Sequence, residues 1–295
     1  MAPLLFVLFL SAPAAGPEKT VFTELIERGV SPDGRTFVTL PPPSMADGLD
    51  TDAQRQVVAE VAEGRHAVEH LLRDAVVAPF VFRVAEADTG PDGPVIRTIA
   101  LWFVAHGSLD DLDEEARMER LLEPPATTPN GLPHAHGVVD EEALRARDLL
   151  ATEDEDRAVH YVFSTLPLLE RALVSSTQRL TLSRTEESVL IAGRIAAEFE
   201  EDDEYPNQWH PITRTAAGEF QIGPPSPYRG AGFYLKATRL HEPAGALFIE
   251  LHMAYHEPQG WFGGAPLLRS RLPMLFQDAI RRFRRELRMA GDARG

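Results

Sequence analysis

Ala246-Leu247-Phe248-Ile249-Glu250-Leu251-His252-Met253-Ala254-Tyr255-His256 alternates in a way that decides how the rest of the chain is read. Its odd positions are large and mostly apolar, while its even positions mix alanine and phenylalanine with Glu250, His252 and His256. Successive side chains of a strand point to opposite faces, so this is a strand with one buried face and one mixed, partly exposed face. Gly260-Trp261-Phe262-Gly263-Gly264 then turns the chain on bulky anchors. Residues 272–289 follow as an amphipathic helix with Pro273 in its first turn. Phe276, Ala279, Ile280, Phe283 and Leu287 form its apolar stripe, and Arg281, Arg284, Arg285 and Arg288 occupy the other side. The stripe is expected to close over the apolar face of the strand.

Working outward, residues 241–245 carry Pro243 and Gly245 and join a strand at 232–240 to this one as a hairpin. Period-two segments at 159–165, 172–183 and 187–199 predict three further strands, with a short one near 218–222. Between them Tyr205-Pro206-Asn207-Gln208-Trp209-His210 reads as an aromatic loop. Segments 76–84 and 95–106, rich in Val, Ile and Phe around a Gly/Asp/Pro connector, predict an antiparallel hairpin. Asp50 or Thr51 caps a helix running to about Leu72 and broken at Gly64; helices are also expected at 109–122 and, behind Asp140, at 139–150. The proline-rich stretch 124–137 reads as a surface loop. The expected fold is α+β, an antiparallel sheet of about six to eight strands packed on a long C-terminal helix. The expected organisation is a signal peptide at 1–15, an N-terminal extension at 16–50, one domain at 51–290 and a tail at 291–295.

A chain of 295 residues, 44% hydrophobic, buries a substantial core. A formal charge of −16 argues against a nucleic-acid partner, which needs a surplus of lysine and arginine. The acids concentrate in 108–156 and the arginines in 269–295. With no cysteine, disulfides and thiolate metal sites are excluded. The apolar run from Leu4 to Leu10 before Ala12-Pro13-Ala14 has the pattern of an export signal, so a periplasmic or secreted location is expected. No later stretch reaches the roughly 20 apolar residues of a spanning helix, which leaves room for membrane contact but not for a crossing.

The order helix, two strands, two helices, a strand meander and a C-terminal helix resembles the START and polyketide-cyclase group, the helix-grip fold. Leu166-Pro167-Leu168-Leu169-Glu170-Arg171-Ala172-Leu173-Val174 resembles that family's segment entering a central strand. Tyr255-His256-Glu257-Pro258-Gln259-Gly260-Trp261 is similar to its exit before the last helix. The resemblance spans roughly 51–289, and residues 108–156 are longer than the family pattern needs. It implies a hydrophobic cavity between sheet and helix holding a lipid or other apolar small molecule. On that reading Ile249, Leu251, Met253, Ile280, Phe283 and Trp209 contact the ligand, and no cofactor is expected.

Sets of residues with chemical potential were weighed beside this. Glu250, His252 and His256 share one strand face and are zinc-binding types, but at about 3.3 Å per residue only Glu250 and His252 stand close enough to chelate together. A metal-dependent hydrolase using that pair is the alternative to a binding protein, and a ligand-free structural or interaction domain is a second alternative. Asp202, Asp203, Glu204 and His210 offer carboxylate and imidazole for acid/base work, and His134 with His136 forms a metal-like pair. No nucleophile elbow, phosphate loop or dinucleotide glycine pattern occurs in its required context. Taken together, a binding protein is expected rather than an enzyme.

Overall fold

A computed structural model describes residues 20–64, 67–90, 93–112, 132–149, 159–259, 261 and 267–292. The expected signal peptide, the loop at 124–131, Phe262 and the end of the tail lie outside the described residues. The chain is α+β, with helices α1 Val21–Glu27, α2 Thr51–Ala62 and α3 Val68–Leu72 leading into strands β1 Val81–Glu86 and β2 Ile96–His106. A 3-10 turn, Leu109–Leu112, occupies the start of the helix expected at 109–122, whose remainder is not described. Then come β3 Ala135–Val138, α4 Glu141–Arg145, β4 Val159–Leu168, β5 Ala172–Arg184 and β6 Ser188–Ile195. After these follow β7 Gln208–Arg214, β8 Phe220–Ile222, β9 Ser226–Pro227, β10 Ala231–Arg239, β11 Ala246–His256 and α5 Leu267–Asp292. Asp50 and Asp140 cap α2 and α4 by accepting from the Ala53 and Ala143 amides, as the sequence implies.

All pairings in the 11-stranded sheet are antiparallel, in the order β1-β2-β11-β10-β6-β5-β4-β3. The sheet is therefore larger than the six to eight strands expected, because β3, β7 and β9 were not foreseen. Strand β5 is long enough to serve two neighbours along one edge: Gln178 to Arg184 pair with β6, and Ala172 to Ser175 pair with β7. Pro211 in β7 has no N–H to give, and β7 is a short strand joined to β5 over only four residue pairs, a place where proline is tolerated. Trp209 and His210 are thus strand residues, not the loop residues expected.

β11 holds the middle of the sheet, paired along its whole length with β2 on one side and over nine positions with β10 on the other. Its odd residues Leu247, Ile249 and Leu251 join Leu101, Phe103, Ile191, Ile280 and Leu287 in one core, so α5 does cover that face. The helix lies nearest to β2 and the 3-10 turn, seated by Phe103 against Phe283 (5.5 Å, edge to face) and Phe82 against Phe276 (5.1 Å). Two of its residues depart from the expected stripe. Ala279 is exposed, and Arg284, expected on the polar side, is 5% exposed and sits between Ile280 and Leu287 on the buried face. Pro273 lies inside the helix rather than in its first turn, with its ring exposed.

The even face of β11 is not partly exposed, as the alternation suggested. Phe248, Glu250, His252 and Ala254 are all buried, because residues 21–49 pack across that face. Gly232 allows the close approach: a Cβ there would stand 2.6 Å from Leu25 Cδ2 and 3.1 Å from Val30 Cγ2. No helix among the described residues is long and apolar enough to cross a membrane.

Candidate functional site

The inner face of the sheet is not covered evenly. Beside β2 it is sealed, with Leu247 and Ile249 at 1% and 0% exposure. Toward β10 and β5 the apolar residues Leu182, Phe233 and Leu235 touch the same core yet stay only partly buried, as do Met253 on β11 and Phe276 and Phe283 on α5. Apolar side chains of the sheet and of the helix flank therefore stay partly exposed beside the sealed core. Gly193 lies beneath this strip, since a Cβ there would meet Leu180 at 2.4 Å and Phe233 at 2.6 Å; only glycine lets both side chains lie over β6.

This partly buried strip has distinct ends. Leu109 and Leu112 of the 3-10 turn, 0% and 2% exposed, plug one end against β6 and β10. At the other stands an aromatic cluster in which Trp261 stacks on Tyr228 (5.3 Å) and meets Trp209 edge-on (6.1 Å). Polar groups collect there too. Arg97 joins Glu86 and Glu257, each at 2.7 Å; burial alone would lower its pKa, but the hydrogen bond to Glu257 and the two carboxylates together raise it. Tyr255, on the same strand face as Met253, has a buried hydroxyl with no hydrogen-bond partner among the described residues, and burial pushes its pKa up. A buried hydroxyl without a partner costs roughly 1–3 kcal/mol, which a ligand group could recover.

Of the residues assigned to ligand contact from the sequence, Ile249, Leu251, Ile280 and Phe283 fall in the sealed core or its margin. Met253 and Trp209 fall in the adjoining aromatic cluster, and Phe82 and Phe276 connect the two groups. Sequence reasoning missed Phe233, Leu235, Leu182, Tyr255 and Arg97. The alternation of 232–240 already put Phe233 and Leu235 on one face, which was the signal available for them.

The other candidate sets are committed elsewhere. Glu250, fully buried, accepts hydrogen bonds from the Ser44 and Met45 amides at 2.7 and 3.2 Å. His252 Nε2 is 3.8 Å from Glu250, its ring stacked on Tyr234 and edge-on to Trp102. Lys236 beside them donates to the Met45 carbonyl and pairs with Asp47, both at 2.7 Å. This polar layer fastens residues 44–47 to the sheet. Asp202 forms a fork with Arg147 at 2.5 and 3.0 Å and accepts from the Glu204 and Tyr205 amides, while His210 Nδ1 contacts the Gly223 carbonyl at 2.8 Å. His136 belongs to β3, and His134 precedes it. Among the described residues no group of three or more His, Asp or Glu is arranged to hold a metal. No protein-family model matches this chain, and no curated protein matches it.

Proposed function

We propose that the protein binds an apolar or lipid-like small molecule in the groove between the inner sheet face and α5, in the manner of a helix-grip protein. The observation that carries this reading is the run of partly buried apolar side chains Leu182, Phe233, Leu235, Met253, Phe276 and Phe283 beside a fully sealed core. Protein interiors normally pack near crystal density, so apolar groups left half covered on both walls of a groove favour a ligand as the missing filling. The polar end at Tyr255 and Arg97 suits a hydroxyl or acid head on an otherwise apolar molecule. The START-like resemblance and the export expected from residues 4–14 agree with a carrier outside the cytoplasm.

Native mass spectrometry of the purified full chain, followed by titration of the stripped protein with a fluorescent long-chain fatty acid, tests the proposal. A co-purifying apolar mass and saturable probe binding are expected. Leu235→Trp, which fills the groove, should weaken the probe at least about tenfold while leaving the melting temperature unchanged or raised. A bare chain mass together with no saturable probe binding would reduce the groove to an imperfectly packed core and the protein to a structural role. The rival hydrolase reading has less support, because Glu250 and His252 are sealed under residues 41–47. Stoichiometric zinc that is lost in His252→Ala would favour it instead.

A further inference from the structure

On the opposite face of the sheet, α1 and the segment after it leave a trough beside β5 and β6. It consists of two clefts of about 520 and 430 Å³ that share Arg28 and Arg194 as lining residues. Arg179 of β5 and Arg194 of β6 are Cα partners in the ladder and line the larger cleft together. Like charges directly opposite on one face destabilise a sheet, because their Cβ atoms stand only about 5 Å apart. Glu24 on α1 pairs with Arg194 and not with Arg179. Arg179 has no carboxylate partner among the described residues, and its Nε is shut off from water with no acceptor. Arg28 also lacks an ion pair among the described residues and lies over the Phe37 ring at 5.6 Å. Glu27 and Glu198, both exposed, also line the larger cleft.

We propose that this trough is a binding site for a small molecule bearing a phosphate or carboxylate, held by Arg179 and Arg28 with Arg194 between them. A planar guanidinium presents paired donors that match either anion. An anion between Arg179 and Arg194 offers acceptors to the terminal nitrogens of both guanidinium groups and relieves the repulsion across the ladder. The trough is larger than an inorganic anion needs. The rest of the molecule extends into the 430 Å³ cleft, where Phe37, 42% exposed, and the Gly230 turn form the wall. The site is separate from the inner groove and does not depend on it.

Calorimetric titration of the full chain at low salt with inorganic phosphate and, separately, with succinate tests the site and tells the two anion types apart. Saturable binding of at least one is expected. Its affinity should fall at least about tenfold in Arg179→Gln and on raising the salt to physiological strength. Arg214→Gln, a surface arginine paired with Glu170, should leave it unchanged. Should Arg179→Gln fail to fold, Arg28→Gln carries the test, since that side chain is exposed and outside the core. No saturable binding of either anion up to about 20 mM, or wild-type affinity in the arginine variants of the trough, overturns the proposal.

Discussion

Removing the Arg284 guanidinium should release the C-terminal helix from the sheet. Its Nε donates to the Val104 carbonyl at 2.8 Å, one Nη to Val76 and Ala78 at 3.2 and 2.6 Å, and the other Nη to Pro79 at 3.1 Å. Burial pushes the group down to about 10, so it is still a cation at neutral pH. Truncation to alanine leaves these carbonyls without their donor, at roughly 1–3 kcal/mol for each that water cannot reach, and removes the guanidinium from over the Phe103 ring. Relief of the cation's own desolvation offsets part of this, so a net loss of about 2–4 kcal/mol is expected. With a urea slope of about 3 kcal/mol per molar, the midpoint should fall by about 1 M. Arg284→Lys keeps the charge but not the fork and should lose about half as much. Arg284→Met keeps the stem alone, and is the decisive variant. If its urea midpoint equals that of the wild type, the four hydrogen bonds merely balance the buried charge and the clamp reasoning fails.

Two further outcomes follow from the outer face and the acid-rich loop. The Arg147 guanidinium, with the amides of Tyr205 and Glu204, holds Asp202 down at about 2 against an ordinary 3.8. A depressed folded-state value means stability present above about pH 4 and lost as the pH falls toward 2. Melting temperatures between pH 5 and 2 should therefore drop less steeply in Asp202→Asn than in the wild type, and identical slopes would contradict the assignment. Gly232→Val puts a branched side chain where Leu25 and Val30 now lie, at an expected cost of about 1–3 kcal/mol. Amide exchange of residues 21–30 should speed up selectively; unchanged protection there would mean that α1 does not depend on this contact.

What the sequence made legible was whatever depended on local period. Strand β11 falls at the expected residues 246–256, and the hairpin to β10 follows from the proline and glycine between them. Arg284 was misplaced although the spacing was informative: four residues after Ile280 and three before Leu287, it belongs to the buried stripe, and only its charge argued otherwise. Glu250 and His252 were misjudged for a different reason. The groups that make their burial tolerable are main-chain amides of Ser44 and Met45, more than 200 residues away in the chain, and no period within 246–256 reports them. The break between the strands expected at 159–165 and 172–183 is present, but β4 runs on to Leu168 and turns at Leu169 and Glu170, which take positive φ, 50° and 57°, without the glycine or asparagine that normally signals a turn. Trp209 and His210 were read with the aromatic loop 205–210, whereas they belong to β7, a short strand held to β5 over four residue pairs that no run of alternation announces.

The position of α5 links the clamp to the proposed groove. A helix centred on the sheet would rest on β10 and β6 and bury Phe233 and Leu235 outright. Arg284 instead ties it to the end of β2 and to the chain entering β1, and the Phe103–Phe283 and Phe82–Phe276 contacts hold the same flank. The apolar side chains on the far side of the inner face are thereby left half covered by the same interactions that fix the helix. An apolar residue at 284 would pack against the same flank but could not bind four carbonyls at once, so the guanidinium fixes where along β2 the helix sits, and the width of the proposed groove depends on that position.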